Sequence, residues 1–139
     1  MFAKSVLALA FVLVAVAPRA QCAPIPGTGC NSVTPTCNTR PVIGTTFQWS
    51  SAPCVTALPA LLIFGTVLTP PLPVPPPTVC TSSPCNLGCQ PLFTVQAPSL
   101  SIPIPNLRSL IGAVFCIQSA CVNTVPCLLL SQAASVTIR

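Results

Sequence analysis

The sequence predicts a small, disulfide-rich, mainly β fold with irregular loops and a polyproline segment. Its 139 residues include ten cysteines, an even number that in a short exported chain is typical of a disulfide framework. Short β-branched and aromatic runs, such as residues 45–49, favour strands. Prolines and glycines at positions 24, 26, 27, 29 and 35 argue against a long helix within residues 21–40.

Residues 1–20 have the pattern of a secretory signal peptide. Lys4 precedes an almost unbroken apolar run over residues 5–17, which is too short to span roughly 30 Å of hydrocarbon as a helix. Cleavage after Ala17 would leave Pro18 at the new amino terminus, so cleavage after Ala20 is preferred. We therefore expect residues 21–139 to form a single cysteine-rich domain outside the cell, with no transmembrane anchor. A buried apolar helix and an uncleaved anchor are the alternatives for residues 1–20.

All the cysteines lie beyond that cleavage site, and we expect each of them to form a disulfide. They are Cys22, Cys30, Cys37, Cys54, Cys80, Cys85, Cys89, Cys116, Cys121 and Cys127. Zinc binding is disfavoured because the chain has no histidine and no Cys-x-x-Cys spacing. The spacing of the cysteines leaves their connectivity open.

The chain has no Asp, Glu or His, and only 4% of its residues are charged, against about one quarter in an average soluble domain. A Ser or Cys nucleophile needs a base, and glycoside hydrolysis commonly needs two carboxylates. Arg40, Arg108 and Arg139 are too far apart in sequence to form a nucleic-acid stripe. We therefore expect no catalytic site, no metal, no cofactor and no nucleic-acid partner.

Several segments have predictable local structure. Residues 45–49 form a strand candidate, and residues 55–68 a strand pair or a short amphipathic helix. Residues 70–77 are expected to adopt polyproline II and to act as a stiff connector. Residues 92–106 alternate like an edge strand whose prolines prevent further pairing, and residues 135–138 could form a last strand.

Three segments resemble class I fungal hydrophobins. Residues 21–32 (QCAPIPGTGCNS) resemble the start of such a protein, and the Val- and Pro-bearing residues 67–79 resemble the run before its fourth cysteine. Cys121 and Cys127 keep the five-residue gap between the family's fifth and sixth cysteines. Gly29 and Leu128 stand where the family has the remaining halves of its two Cys-Cys doublets.

This resemblance implies a compact β-barrel-like core and a particular disulfide pairing. It would link Cys22 with Cys127 and Cys30 with Cys80, and would leave six cysteines to pair among themselves. It also implies a surface-active structural protein that self-assembles at hydrophobic–hydrophilic boundaries of the fungal cell wall. Its partners would be further copies of itself and the wall or another hydrophobic surface.

The long uncharged stretch between Arg40 and Arg108 predicts that apolar patches stay exposed, because few charges are present to cover the surface. With the hydrophobin resemblance, we expect the patch within residues 61–68 and 107–117. The expected patch residues are Leu61, Leu62, Ile63, Phe64, Val67, Leu68, Leu110, Ile111, Val114 and Phe115.

Two other interpretations fit the same sequence. One is a soluble, secreted cysteine-rich effector or binding protein whose loops form the recognition surface. The other is a degenerate gene product that folds poorly.

Overall fold

A computed structural model describes residues 22–30, 33–54, 60–123 and 127–139. These residues form a small, mainly β structure with two sheets and one short 3-10 helix, Arg108–Leu110. In chain order the strands are β1 (Cys22–Pro24), β2 (Thr36–Cys37), β3 (Thr46–Ser50), β4 (Leu61–Val74), β5 (Cys85–Gln96), β6 (Ser99–Pro103), β7 (Val114–Val122), β8 (Leu128–Leu130) and β9 (Ala134–Thr137). The expected mainly β, disulfide-rich class is confirmed. The signal peptide predicted at residues 1–20 lies outside the described residues.

The larger sheet has the order β1-β9-β7-β4-β5, and β8 extends it by pairing with the far end of β7. All its pairings are antiparallel. The sheet curls without closing, because β1 and β5 remain at its two edges. The core is therefore an open, curved sheet, and the barrel-like expectation holds only in this broad sense.

The smaller sheet has the order β2-β3-β6 and lies across one face of the larger sheet. The strand predicted at residues 45–49 is present as β3, where Phe47 and Trp49 are buried while Thr46 and Gln48 are exposed and Ser50 is half-buried. This alternation places both aromatic rings between the sheets. They pack there with Leu62, Ile117 and Val136 of the larger sheet.

A second apolar cluster covers the opposite face of the larger sheet. It contains Ile63 from β4, Leu130 from β8 and the disulfide-bonded Cys89 and Cys116. Because both faces of β4 are covered, its central residues are apolar on both sides.

The ribbon formed by β4 and β5 bends near Gly65, and this bend closes the second cluster. Pairing with β7 ends at Gly65, while β4 continues alongside β5 to Val74. The register of the β4–β5 pair shifts at Gly65, where Leu92 is the extra residue of a β-bulge. Beyond the bend, the first half of β5 lies against β7, where a disulfide links Cys89 and Cys116.

The polyproline II prediction for residues 70–77 is wrong for its first part. Residues up to Val74 belong to β4, and Leu72, Pro73 and Val74 pair with β5. This half of β4 has β5 as its only described strand neighbour. Proline is tolerated here because no strand on the other side needs the backbone N–H that proline lacks. Residues 76–78 form a turn.

The remaining local predictions are confirmed only in part, since residues 60–68 contain one strand where a strand pair or a short helix was expected. The apolar part of residues 55–68 is a strand from Leu61 onward, and residues 55–59 lie outside the described residues. Residues 92–106 divide between the end of β5 and β6, whose only partner among the described strands is β3. The last strand is β9, which begins one residue earlier than predicted.

Candidate functional surface

The structure separates the predicted patch residues into three environments. Leu62 and Ile63 are buried, so their assignment to an exposed patch is corrected: successive residues of β4 enter the two opposite clusters. Ile111 and Val114 are exposed. The half-buried members are Leu61, Phe64, Val67, Leu68, Leu110 and Phe115.

One group of exposed apolar side chains lies on the β4–β5 ribbon. It consists of Leu72, Leu92 and Phe93, which are between 41% and 68% exposed. Leu92 is the most exposed because the bulge places it outside the regular pairing of the two strands. The sequence did not indicate any of these three residues, since neither the bulge nor the bend leaves a periodic signal.

A row of aromatic rings connects this ribbon with the core. Phe93 stacks on Phe64 with ring centroids 4.9 Å apart, and Phe64 contacts Phe115 at the same distance. Phe115 in turn meets the fully buried Phe47 edge to face at 5.5 Å. Each such pair contributes about 0.5–1.5 kcal/mol beyond its area burial. The exposed ring of Phe93 is therefore held in place by the core.

A second exposed group lies on the loop between β6 and β7 and at the first residue of β7. Leu107, Ile111 and Val114 are each more than half exposed. The loop has a defined shape, because the Leu110 amide donates to the Leu107 carbonyl at 3.0 Å and the Ile111 amide donates to the Arg108 carbonyl at 3.1 Å. Within the predicted segment 107–117, residues 107–114 are therefore mostly exposed. The buried part of β7 begins at Cys116.

The five disulfides fix the positions of these surfaces. The pairs are Cys22–Cys37, Cys30–Cys85, Cys54–Cys121, Cys80–Cys127 and Cys89–Cys116. All ten cysteines are bonded, which confirms the predicted framework.

The pairing implied by the hydrophobin resemblance is wrong. Cys22 bonds Cys37 because β1 and β2 belong to different sheets that meet at this point, with Cα atoms 6.3 Å apart. Cys30 bonds Cys85, and Cys80 bonds Cys127. Neither of the two bridges carried over from the family is therefore present.

A network of buried hydrogen bonds joins the bent ribbon to the rest of the sheet. The fully buried Gln118 accepts a hydrogen bond from the Gly88 amide at 2.9 Å and donates to the Ser131 carbonyl at 2.8 Å. The Ser131 hydroxyl accepts from the Ser119 amide at 2.9 Å. Buried amides that keep their partners in this way specify one arrangement of the strands.

No known family, no curated protein and no solved structure matches this chain. The hydrophobin resemblance therefore stays a prediction. Within the described ranges, no helix has the length and hydrophobicity that crossing a membrane would require.

Proposed function

We propose that this is a secreted, surface-active structural protein that adsorbs where water meets an apolar phase and assembles there into a film. The supporting observation is the set of large apolar side chains held open to solvent on a chain with very few charges. The outer wall of a fungal cell is the boundary that the hydrophobin resemblance implies.

The scaffold keeps the β4–β5 ribbon from collapsing inward. Cys89–Cys116 holds the ribbon against β7, and the aromatic row fixes the orientation of Phe93. Full burial of a Leu or Phe side chain is worth about 1.5–3 kcal/mol, so each half-exposed side chain gains about half of this at an apolar boundary. Adsorption through Leu72, Leu92 and Phe93 together is therefore favoured by about 2–4.5 kcal/mol.

The edge of β5 provides a route from adsorption to a film. Along residues 90–95 this strand has β4 as its only described strand neighbour, and it carries no charged side chain that would repel a second strand. Strand edges without charge are prone to pair with other chains. Adsorption would bring such edges together at high local concentration.

Interfacial tension and film elasticity of the oxidised protein at an air–water boundary test this proposal. The double variant Leu92→Ser/Phe93→Ser should adsorb more slowly and form a weaker film than the wild type. Thr66→Ser/Thr94→Ser, which changes exposed polar residues of the same two strands, is the matched control and should behave like the wild type.

Three outcomes would contradict the proposal. A monomeric protein with five intact bridges and no film would favour the soluble effector or binding protein instead. Equal adsorption by the wild type and Leu92→Ser/Phe93→Ser would show that the ribbon is not the adsorbing surface. Free thiols and poorly dispersed amide resonances in the purified wild type would indicate a product that does not fold.

A further inference from the structure

We propose that one end of the molecule, defined by Arg40, Arg108 and Arg139, docks on an anionic lipid surface. We call this region the arginine end; it includes the exposed Leu107, Ile111 and Val114. The inference goes beyond the proposed function because it requires negatively charged headgroups, which an air–water boundary lacks.

Backbone hydrogen bonds bring Arg40 and Arg139 together from distant parts of the sequence. The Arg139 amide donates to the carbonyl of Pro41, the residue after Arg40, at 2.8 Å. The Ile43 amide donates to the Arg139 carbonyl at 2.9 Å. The two arginines therefore lie on adjacent, hydrogen-bonded segments.

The next pair of backbone hydrogen bonds adds the loop that carries Arg108. The Gly112 amide donates to the Ile138 carbonyl at 2.8 Å, and the Ile138 amide donates to the Ala113 carbonyl at 2.9 Å. Arg108 is in the same loop, where its carbonyl accepts from the Ile111 amide at 3.1 Å. All the charged side chains of the described residues thus gather at one end of the fold.

No side-chain carboxylate offsets these positive charges, because the chain contains no Asp or Glu. All three arginines are exposed. Arginine binds phosphate oxygens through its planar, forked set of donors and keeps its charge at any physiological pH. The arginine end is therefore complementary to a surface that presents phosphate groups.

The exposed aliphatic side chains decide which phosphate-bearing surface fits. Leu107 directly precedes Arg108, Ile111 follows it by three residues, and Val114 is the first residue of β7. Aliphatic side chains next to cationic ones are the combination that peripheral proteins use at the boundary between headgroups and acyl chains. A single-stranded nucleic acid would instead call for exposed aromatic rings to stack on the bases, and this loop has none.

Co-sedimentation with lipid vesicles tests the proposal. The oxidised wild type is mixed with phosphatidylcholine vesicles that contain or lack phosphatidylserine, at low and at physiological salt. We expect binding that needs phosphatidylserine and weakens with salt. Replacing the three arginines by glutamine should weaken it on the order of 100-fold, from about fivefold for each arginine.

Three further variants separate charge, insertion and the ribbon. Arg40→Lys/Arg108→Lys/Arg139→Lys keeps the charge and should retain most of the binding. Leu107→Ser/Ile111→Ser should weaken vesicle binding while binding to a soluble polyanion stays unchanged. Leu92→Ser/Phe93→Ser alters only the ribbon and should bind vesicles like the wild type, so failure of the proposed film function leaves this test intact.

Any of three results would overturn the proposal. They are equal binding to vesicles with and without phosphatidylserine, wild-type binding by the glutamine variant, and a polyanion affinity that exceeds the vesicle affinity. Each variant is first checked for five intact bridges and for the emission of its single, buried tryptophan, Trp49.

Discussion

The amide of Gly88 on β5 donates a hydrogen bond to the side-chain oxygen of Gln118 on β7, although β4 separates these strands in the order of the sheet. This contact is possible because the β4–β5 ribbon bends and lies across the face of β7. The amide group of Gln118 also donates to the carbonyl oxygens of Ser131 and Asn86, at 2.8 and 3.3 Å. Each polar atom of this fully buried side chain therefore has a partner.

Gln118→Glu should make the stability of the protein depend on pH. Burial, together with the two carbonyl oxygens that face the new carboxyl group, favours its neutral form and raises its pKa above the unfolded value. Because the pKa of the new carboxyl group is higher in the folded state, its neutral form stabilises the variant fully at a pH below the unfolded pKa. This stability is lost as the pH rises through the folded pKa. A tenfold difference in acid dissociation constant between the folded and unfolded states corresponds to a loss of about 1.4 kcal/mol. Urea titrations at several pH values, followed by Trp49 fluorescence, measure this loss of stability.

Gln118→Met is the control for that experiment. It keeps the length of the side chain but leaves the Gly88 amide without its acceptor, which costs about 1–3 kcal/mol. Since methionine does not titrate, this loss should be the same at every pH. A pH-independent loss in Gln118→Glu as well would show that the site is open to water.

The wild type should be nearly indifferent to acid. Acid unfolding arises mainly from carboxylates that are paired in the native state and become protonated, and this chain has no side-chain carboxylate. The unfolding midpoint in urea should therefore change little between about pH 7 and about pH 2. A cooperative loss of structure over that range would contradict the prediction.

The strands were predictable where a short segment alone decides its own structure. Residues 45–49 are rich in β-branched and aromatic side chains, and this was enough to place β3 to within one residue. The disulfide framework followed from the even number of cysteines in a chain that the sequence predicts to be exported. The pairing did not, because it depends on which strands meet: Cys89 and Cys116 come together only after the ribbon has bent.

The candidate surfaces were only partly predictable, because the exposure of a side chain also depends on which strands meet. Sequence hydrophobicity identified residues 61–68, but it could not tell that both faces of this segment are covered. Leu92 and Phe93 are exposed because of a bulge on the neighbouring strand. The arginine end depends on backbone contacts between segments that lie far apart in the sequence, such as Pro41 and Arg139.

Gly65→Ala should destabilise the protein by at least about 2 kcal/mol, in the upper range for overpacked positions. A Cβ at this position would overlap the backbone carbonyl of Gln90 on β5. Pairing with Cys116 of β7 holds the other side of Gly65, so β4 cannot move away. Denaturant unfolding of the oxidised variant gives the change.

Gly27→Ala provides a comparison for that experiment. Its Cβ would meet no atom within 4 Å, but its φ of 75° is unfavourable for alanine and costs about 1–2 kcal/mol. Gly65 does not have a positive φ, so a cost at Gly65 no larger than the cost at Gly27 would show that β5 moves aside to accept the added Cβ.

Mild reduction should open the disulfides in an order set by burial. Cys80 is exposed and Cys127 half-buried, whereas Cys89 and Cys116 are both fully buried. A thiolate must reach a sulfur atom to attack it, so Cys80–Cys127 should be reduced first and Cys89–Cys116 only when the ribbon detaches from β7. Alkylation at successive times, followed by peptide mass spectrometry, gives the order. Early loss of Cys89–Cys116 would mean that the bent ribbon opens readily in solution and does not seal the second cluster.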